Sequence, residues 1–428
     1  MPESPVKSEG RAVSGRALIS WCLFDWANSA FPTVITTFVF AAYFTKAVAA
    51  DAVTGTAQWG YAMSLSALAV AVASPVFGAV ADHSGRRKPW LATFTVLCVA
   101  ATALLWFTRP DPADVLWALV FVALANFGFE TGMVFYNAML ANLAPPGRIG
   151  RLSGWGWGLG YTGGLVCLAV ALVGLVQAEV PWFGLEKASA EHVRATAPMV
   201  AIWFAVFAVP LFLFTPDSPA SGVSLAEAAR RGLASLADTV RRIRDHAHVA
   251  RFLLARMIYT DGLNTLFAFG GIYAAGTFGM DFSELILFGI GMNVTAGLGA
   301  ACFAWIDDWI GPKRTILIAV AALTVLGAIL LVVPSKTLFW VFGLPLGIFV
   351  GPAQAASRSL MTHLAPPETR TEMFGLYALS GKATAFVGPA LLGWVTAVAG
   401  SQRAGMAIIP VFFIVGALLL RGVPDVRR

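Results

Sequence analysis

Two stretches of the sequence place a carboxylate and an amide at the same spacing. Residues 24–31 read FDWANSAF and residues 260–267 read TDGLNTLF, so both fit Asp-x-x-Asn-(Ser/Thr)-x-Phe. Because residues i and i+3 share one face of a helix, each acid points the same way as its amide. Polar side chains inside an apolar segment bind solutes or relay protons. The first candidates for such a site are therefore Asp25, Asn28, Asp261 and Asn264.

Two further ionisable residues lie inside apolar runs. Glu130 is near the middle of its run, where a lone carboxylate is a candidate proton relay; a carboxyl held by hydroxyls purely for structure is the alternative. Lys382 requires a carboxylate partner if it is buried. We expect it to pair with Asp261 or Asp25, or to bind the carboxylate of a substrate, unless its side chain extends to the membrane surface.

Secondary candidates supply aromatic surface or amides to the same region: Trp26, Asn137, Tyr161 and Gln354. A buried amide can instead simply bridge two helices. Residues 158–163 match the glycine pattern of a dinucleotide site, but no strand precedes them, so they suit close helix packing instead. The sequence predicts no catalytic residue, metal site or cofactor, and free thiols at all four cysteines.

The elements that carry these residues are membrane spans. The chain has 428 residues, of which 58% are apolar and 12% charged, whereas about 25% charged residues are typical of soluble proteins. Hydropathy predicts twelve spans: 18–47, 58–81, 89–108, 114–143, 153–177, 197–215, 249–279, 283–306, 314–333, 336–363, 372–399 and 404–421. These define two six-helix halves, 18–215 and 249–421, with a linker at 216–248 and tails at 1–17 and 422–428.

Lys and Arg concentrate on one side of this arrangement. The segments on the side of both termini hold 22 of them, counting Arg256 and Arg358, and the other side holds six. This bias predicts cytoplasmic termini and a multi-pass protein of the bacterial inner membrane. It also explains the net charge of +6 without a nucleic-acid partner, because the basic residues are scattered in short loops.

The linker has the pattern of an amphipathic helix. Ser224 and Glu227 fit a capping box at its start. Apolar residues then recur at helical spacing opposite a row of arginines: Leu233, Leu236, Val240 and Ile243 opposite Arg230, Arg231, Arg241 and Arg242. We expect this helix to lie at the cytoplasmic membrane surface, in contact with anionic lipid or with the underside of the bundle.

Internal repeats indicate that the two halves arose by duplication. Residues 82–88 read DHSGRRK and residues 308–314 read DWIGPKR, at an offset of 226. The motif Leu-Ala-Pro-Pro occurs at 143–146 and again at 364–367, at an offset of 221. At that second offset, Glu130 corresponds to Gly351 and Lys382 to Tyr161. Repeats in this order and spacing predict two pseudo-symmetric halves with a site between them.

Residues 78–88, which read GAVADHSGRRK, resemble the signature loop of the major facilitator superfamily; the second copy departs from it at Ala304, where the pattern has Gly. Residues 25–30 and 158–164 are similar to its vacuole-effluxer-like branch, named for a fungal autophagy-related amino-acid exporter. The resemblance implies an all-α membrane fold of twelve helices, with spans 1, 4, 7 and 10 lining a central cavity. It also implies a monomeric, non-enzymatic secondary transporter that moves a small polar solute, such as an amino acid, by alternating access with protons as the coupling ion.

The resemblance also implies a role for the signature loops. Asp82 would lie near the start of span 11, tied to helix ends by arginines, and Asp308 near the start of span 5, beside Arg151 and Ser153. Such contacts would hold a cytoplasmic gate shut; charged turns that serve only topology are the alternative. The residues concerned are Gly78, Asp82, Gly85, Arg86, Arg87, Asp308, Gly311 and Arg314.

Two other functions fit the same spans. One is a broad exporter of amphiphilic compounds, and the other is a non-transporting receptor or scaffold on a transporter fold. The repeated acid–amide pairs and the lysine inside a span favour a polar ligand. On this reading, at least one of Asp25→Asn and Asp261→Asn should abolish transport while leaving thermal melting near normal.

Overall fold

Long apolar runs fold as helices in a membrane because the backbone must satisfy its own hydrogen bonds there. The computed structural model describes residues 13–145, 147–241 and 245–426. The predicted span numbers are kept for the observed helices. Spans 1 to 6 are Gly15–Val48, Ala52–Ser84, Lys88–Phe107, Pro112–Leu143, Ile149–Val176 and Glu191–Phe214. Spans 7 to 10 are Ala247–Phe278, Phe282–Ile310, Pro312–Val332 and Lys336–Leu364, and span 12 is Gln402–Arg421.

Ten of the described helices are long and apolar enough to cross a membrane, and the two remaining spans fail that test for identifiable reasons. Span 7 has the length, but Arg251, Arg256 and Asp261 lower its hydropathy. Span 11 is broken into span 11a, Arg370–Ser380, and span 11b, Val387–Ala399. The twelve-helix prediction is confirmed, but the expectation of a continuous helix over 372–399 is wrong, because residues 381–386 form turns.

The two halves meet through spans 2 and 11a and through spans 5 and 8, which pack closely because glycines face the partner backbone. A Cβ on Gly375 would lie 2.5 Å from the carbonyl oxygen of Ser74, and a Cβ on Gly154 would lie 2.6 Å from that of Ala300. Gly375 follows Gly154 by 221 residues and Ala300 follows Ser74 by 226 residues, which are the two repeat offsets, so the two contacts are equivalent. The predicted pseudo-symmetry is therefore visible in the packing of this end of the bundle.

The sequence offset between equivalent residues of the two halves changes at the break in span 11. Gly160 packs against the backbone oxygen of Asp25 and the hydroxyl of Ser29, and Gly388 packs in the same way against Asp261 and Thr265. The offset between these two glycines is 228, seven more than at Gly154 and Gly375. The seven additional residues therefore lie between Gly375 and Gly388, the segment that contains the turn at 381–386. Lys382 lies in that turn, so the sequence-based pairing of Lys382 with Tyr161 is wrong.

The predicted linker helix is present as Leu225–Arg241, and it lies against the bundle. A Cβ on Gly232 would lie 2.8 Å from the backbone nitrogen of Val80 in span 2, and Ser235 donates a 3.0 Å hydrogen bond to Glu372 in span 11a. Its docking face is made of small residues, whereas the predicted apolar residue Leu233 is 52% exposed. Arg242, Ile243 and Arg244 lie outside the described residues, as do both chain ends and Pro146.

The start of the linker helix forms half of the predicted capping box. The backbone N–H of Glu227 donates to the Ser224 hydroxyl at 3.3 Å. The Glu227 carboxylate turns instead toward Arg230 and Arg231, at 2.9 and 2.6 Å. Hydrogen bonds from these two arginines lower the pKa of Glu227 to about 2. The carboxylate therefore stays ionised at neutral pH and pairs along the exposed side of the helix.

Candidate functional site

Hydrogen bonds between the halves concentrate at one end of the bundle. We call this end, where span 1 begins at Gly15 and span 12 ends at Arg421, the terminal face, and the opposite end the distal face. Asp82 accepts the backbone N–H of Glu372 at 2.9 Å, at the start of span 11a, and Arg87 donates to Thr371 at 2.8 Å. Asp82 and Arg87 also form an ion pair at 3.4 Å. The first signature loop thus lies where the sequence predicts.

The second signature loop makes the corresponding contact with span 5. Asp308 accepts the backbone N–H of Gly150 at 2.8 Å and pairs with Arg151 at 2.7 Å. Ser153 does not reach Asp308; its hydroxyl donates to the carbonyl of Ala355 in span 10 at 2.7 Å. Arg314 pairs with Asp425 rather than with the first half. Both loops therefore place a carboxylate at a helix start, where the helix dipole favours negative charge.

Deeper in the interface lies an ion pair that joins the halves, between Asp25 in span 1 and Arg358 in span 10. Arg358 Nη1 is 3.1 Å from Asp25 Oδ2, and their side chains are 1% and 7% exposed. Arg358 also donates to the hydroxyl of Ser153 at 2.9 Å and to its carbonyl oxygen at 2.6 Å. These hydrogen bonds offset part of the cost of burying the two charges.

Two neighbours make room for this pair and complete it. A Cβ on Gly156 would lie 2.5 Å from Asp25 Oδ2 and 2.9 Å from Arg358 Nη2, so only glycine fits there without displacing one of them. Asn137 accepts a hydrogen bond from Arg358 at 3.3 Å. Asn137 and Arg358 are separated by 221 residues, which is the repeat offset, so they are equivalent positions in the two halves.

A cavity of about 280 Å³ lies between the halves, on the distal side of the buried pair. Spans 4, 5, 7, 10 and 11 contribute its walls. Its polar lining is Glu130, Asn137, Arg256, Tyr259, Thr260, Asn264, Gln354, Ser357, Arg358, Tyr377 and Lys382. The contacts of the two signature loops lie between this lining and the terminal face.

A second ion pair crosses the cavity between the halves. Lys382 Nζ donates to Glu130 Oε1 at 2.7 Å, and their side chains are 28% and 24% exposed, so water reaches both. The expectation that Lys382 pairs with Asp261 or Asp25 is wrong. The turn at 381–386 directs Lys382 across to span 4, and Arg358 already occupies Asp25.

Arg256 in span 7 holds the end of span 11a. It donates to the carbonyl oxygen of Tyr377 at 2.7 Å and to the Ser380 hydroxyl at 2.8 Å, and its guanidinium lies 3.5 Å from the centre of the Tyr377 ring. A cation at a helix C-terminus is favoured by the helix dipole. Arg256 therefore fixes the point at which span 11 stops being helical.

The remaining candidates are distributed unevenly around the cavity. Asn264 lines it, and Tyr161 donates to the lining residue Gln354 at 2.6 Å. Asn28 is buried within the first half, where it donates to Met133 Sδ at 3.3 Å. Trp26 faces span 6, with its ring centre 5.7 Å from that of Trp203. Trp26 is thus a packing residue of the first half rather than part of the cavity wall.

Sequence reasoning missed Arg256 and Arg358, because both were counted among the basic residues at the terminal face. Arg256 falls inside the predicted span 249–279, and Arg358 inside the predicted span 336–363. A basic residue inside an apolar span was the signal that could have identified them as site residues. A second signal for Arg358 is its equivalence to Asn137 at the repeat offset, since Asn137 was already a candidate.

Solved structures of the same architecture define the class of this protein. FucP, a major facilitator superfamily transporter in the outward conformation, superposes with a TM-score of 0.72 at 14% identity, covering 96% of this chain and 98% of that one. The proton:xylose symporter XylE, bound to 6-bromo-6-deoxy-D-glucose, gives 0.70 at 14% identity, with 96% of each chain covered. These likenesses show that the protein has the major facilitator fold.

Within that class, its branch is shown by sequence. The chain belongs to the family described as "Vacuole effluxer Atg22 like", whose sequence profile matches residues 48–428. The uncharacterized MFS-type transporter YxiO of Bacillus subtilis (strain 168) is 27% identical, over 95% of this chain and 94% of its own. Autophagy-related protein 22 of Coccidioides immitis (strain RS) is 23% identical, over 84% of this chain and 70% of its own.

Proposed function

We propose that the protein transports a small zwitterionic or polar solute, such as an amino acid, coupled to protons through Glu130. The ion pair between Glu130 and Lys382 carries this proposal, because it joins the two halves inside a water-accessible cavity. Protonation of Glu130 would release Lys382, whose ammonium group is then free to bind a substrate carboxylate. The ion pair between Glu130 and Lys382 must break before the two halves can separate. Proton binding and solute binding therefore both act on this ion pair.

The solute class follows from the charges of the wall. Lys382 and Arg256 offer cationic groups, whereas the amide oxygens of Asn264 and Gln354 and the carbonyl oxygen of protonated Glu130 can accept hydrogen bonds from an ammonium group. A zwitterion can use both kinds of group at once, whereas an uncharged solute leaves the released lysine unpaired. The volume of about 280 Å³ suits a small metabolite.

The test begins with ligand discovery. Thermal melting of the purified protein should be measured against a metabolite library at two pH values, and each hit then examined in proteoliposomes by pH-driven uptake and by counterflow. A zwitterion that stabilises the protein and accumulates with the proton gradient supports the proposal. A solute that is transported without any response to the gradient contradicts the coupling.

An exporter of amphiphilic compounds is the second candidate, and one observation favours it. A mainly apolar cavity of about 230 Å³ adjoins the polar one at Phe267, and its lining includes Phe38, Phe288, Met292 and Phe339. A compound with a polar head and an apolar tail would occupy both. The same melting screen decides between the two, since an exporter of this kind should respond to amphiphiles and not to zwitterions.

We propose that the terminal face is cytoplasmic and that the membrane is the bacterial inner membrane. With Arg256 and Arg358 assigned to the interface, the terminal face still carries 20 Lys or Arg against six on the distal face. Reporter fusions after residue 428 and at Gly222, an exposed linker position, should both report the cytoplasm. A periplasmic signal from either fusion would reverse the orientation.

The signature loop gives a prediction about the gate at the terminal face. Asp82→Asn removes the charge that binds the start of span 11a and Arg87. The loss should be about 1–2 kcal/mol for a partly buried charge at a helix start, and labelling of a Ser357→Cys reporter from the terminal side should rise about fivefold or more. Unchanged labelling would mean that the loop serves only topology. Asp114→Asn is the control, because it removes a carboxylate from the distal face.

A further inference from the structure

Three buried oxygens lie without hydrogen-bond partners where span 7 meets the break in span 11. Among the described residues, Asp261 Oδ1, Thr265 Oγ1 and Thr384 Oγ1 make no hydrogen bond of normal geometry. Asp261 and Thr265 are 3% and 0% exposed. Unpaired polar atoms this deep in a protein are costly and point to a ligand that completes them.

The three oxygens belong to one small region. The Thr384 hydroxyl is close enough to interact with the Asp261 carboxylate. Gly388 in span 11b packs directly onto Thr265 Oγ1, and its Cβ would lie 3.3 Å from the backbone oxygen of Asp261. Span 7 therefore contributes a carboxylate and a hydroxyl, and the broken segment of span 11 contributes the second hydroxyl.

This carboxylate has no counter-charge, unlike its repeat equivalent. Asp25 is neutralised by Arg358, but no ion pair involves Asp261 among the described residues. The cations on the neighbouring segments are engaged elsewhere: Lys382 pairs with Glu130, and Arg256 binds the end of span 11a. From span 12, the element packed behind this part of span 7, the phenyl ring of Phe413 contacts Gly262.

The break in span 11 supplies the remaining chemistry. A helix that stops at Ser380 and restarts at Val387 leaves part of the backbone of the turn outside the helical hydrogen-bond pattern, whereas the C-terminal dipole of span 11a is already met by Arg256. An oxygen-only set with one carboxylate, two hydroxyls and carbonyls suits a hard monovalent cation. A divalent ion would require more negative charge. Protonation of Asp261 is the competing explanation, and a melting response to pH alone distinguishes it from Na⁺.

We infer that Asp261, Thr265 and Thr384, with the backbone of the span 11 turn, form a Na⁺ site at the junction of spans 7 and 11. Bound Na⁺ would fix the turn that carries Lys382 and so set the position of the lysine in the cavity. The inference does not rest on proton coupling, and its test requires no transported substrate.

The test measures thermal melting of the full-length purified protein in detergent as NaCl replaces choline chloride at constant ionic strength. We expect a saturable rise in melting temperature with Na⁺ that is absent with K⁺. The rise should disappear in Asp261→Asn and require at least about tenfold more Na⁺ in Thr384→Val, which removes one ligand oxygen while keeping the side-chain shape.

Thr396→Val is the matched control. Thr396 also lies in span 11b with an unpaired hydroxyl, but it packs against Gly405 in span 12, so its response to Na⁺ should equal that of the wild type. Equal shifts with Na⁺ and K⁺, or no shift, overturn the inference. So does a response to pH alone that Asp261→Asn removes, which would make Asp261 a proton site. If Asp261→Asn does not fold, Thr384→Val and Thr265→Val decide by the same titration.

Discussion

Replacing Arg358 by Met is expected to destabilise the protein by about 3–5 kcal/mol, because it leaves the Asp25 carboxylate buried without a partner. Asp25→Asn should also be destabilising, since it leaves the buried guanidinium with neutral acceptors only and no counter-charge. The double variant Asp25→Asn/Arg358→Met should melt closer to the wild type than either single variant. Thermal unfolding in detergent, read by tryptophan fluorescence, measures all three.

A separate substitution tests the same contact without touching either charge. Gly156→Ala places a methyl group between Asp25 and Arg358 and should lower the melting temperature. Gly393→Ala is the control: no atom lies within 4 Å of its Cβ position, so helix propensity should stabilise it by about 0.5–1 kcal/mol. Additive single and double variants, or an unchanged melting temperature in Gly156→Ala, would show that the pair does not hold the halves together.

Glu130→Gln is expected to reduce pH-driven uptake to the level of empty liposomes while solute counterflow continues. The amide cannot take up the proton, but Lys382 is released and can still bind substrate. Folding should be little affected, because both side chains are partly exposed and such pairs contribute about 0–1 kcal/mol. Lys382→Ala should instead abolish both uptake and counterflow.

The second half offers a matched control for this experiment. Glu284 and Lys336 form a similar pair at 2.9 Å on the distal face, away from the cavity. Glu284→Gln should leave both transport modes at wild-type levels. Persistent pH-driven uptake in Glu130→Gln would remove Glu130 from the coupling mechanism.

The sequence predicts the spans well because hydropathy is a local pattern. The signature-loop contacts were implied by the resemblance, which places Asp82 near the start of span 11, and pseudo-symmetry extends this position to Asp308 and span 5. The partners of Asp25 and Lys382 depend on how distant helices pack, and no local pattern encodes that. The expectation that Asp25→Asn leaves melting normal is therefore revised, since Asp25 is bound to a buried arginine.

The break in span 11 was hidden for a different reason. Residues 381–386 read GKATAF, which contains no proline and only one charged residue, Lys382. Its signature is the change of repeat offset from 221 to 228, and this becomes measurable only once Gly160 and Gly388 are seen to occupy equivalent positions.

The seven added residues give the duplicated halves unequal mechanics. Span 5 is one continuous helix from Ile149 to Val176. Its repeat equivalent, span 11, consists of two shorter helices with a joint between them at residues 381–386. If the halves rock during transport, we expect bending to concentrate at that joint while span 5 stays straight. Of these two equivalent helices, span 5 is thus the rigid one and span 11 the hinged one. Lys382 lies at the hinge and has no counterpart in span 5.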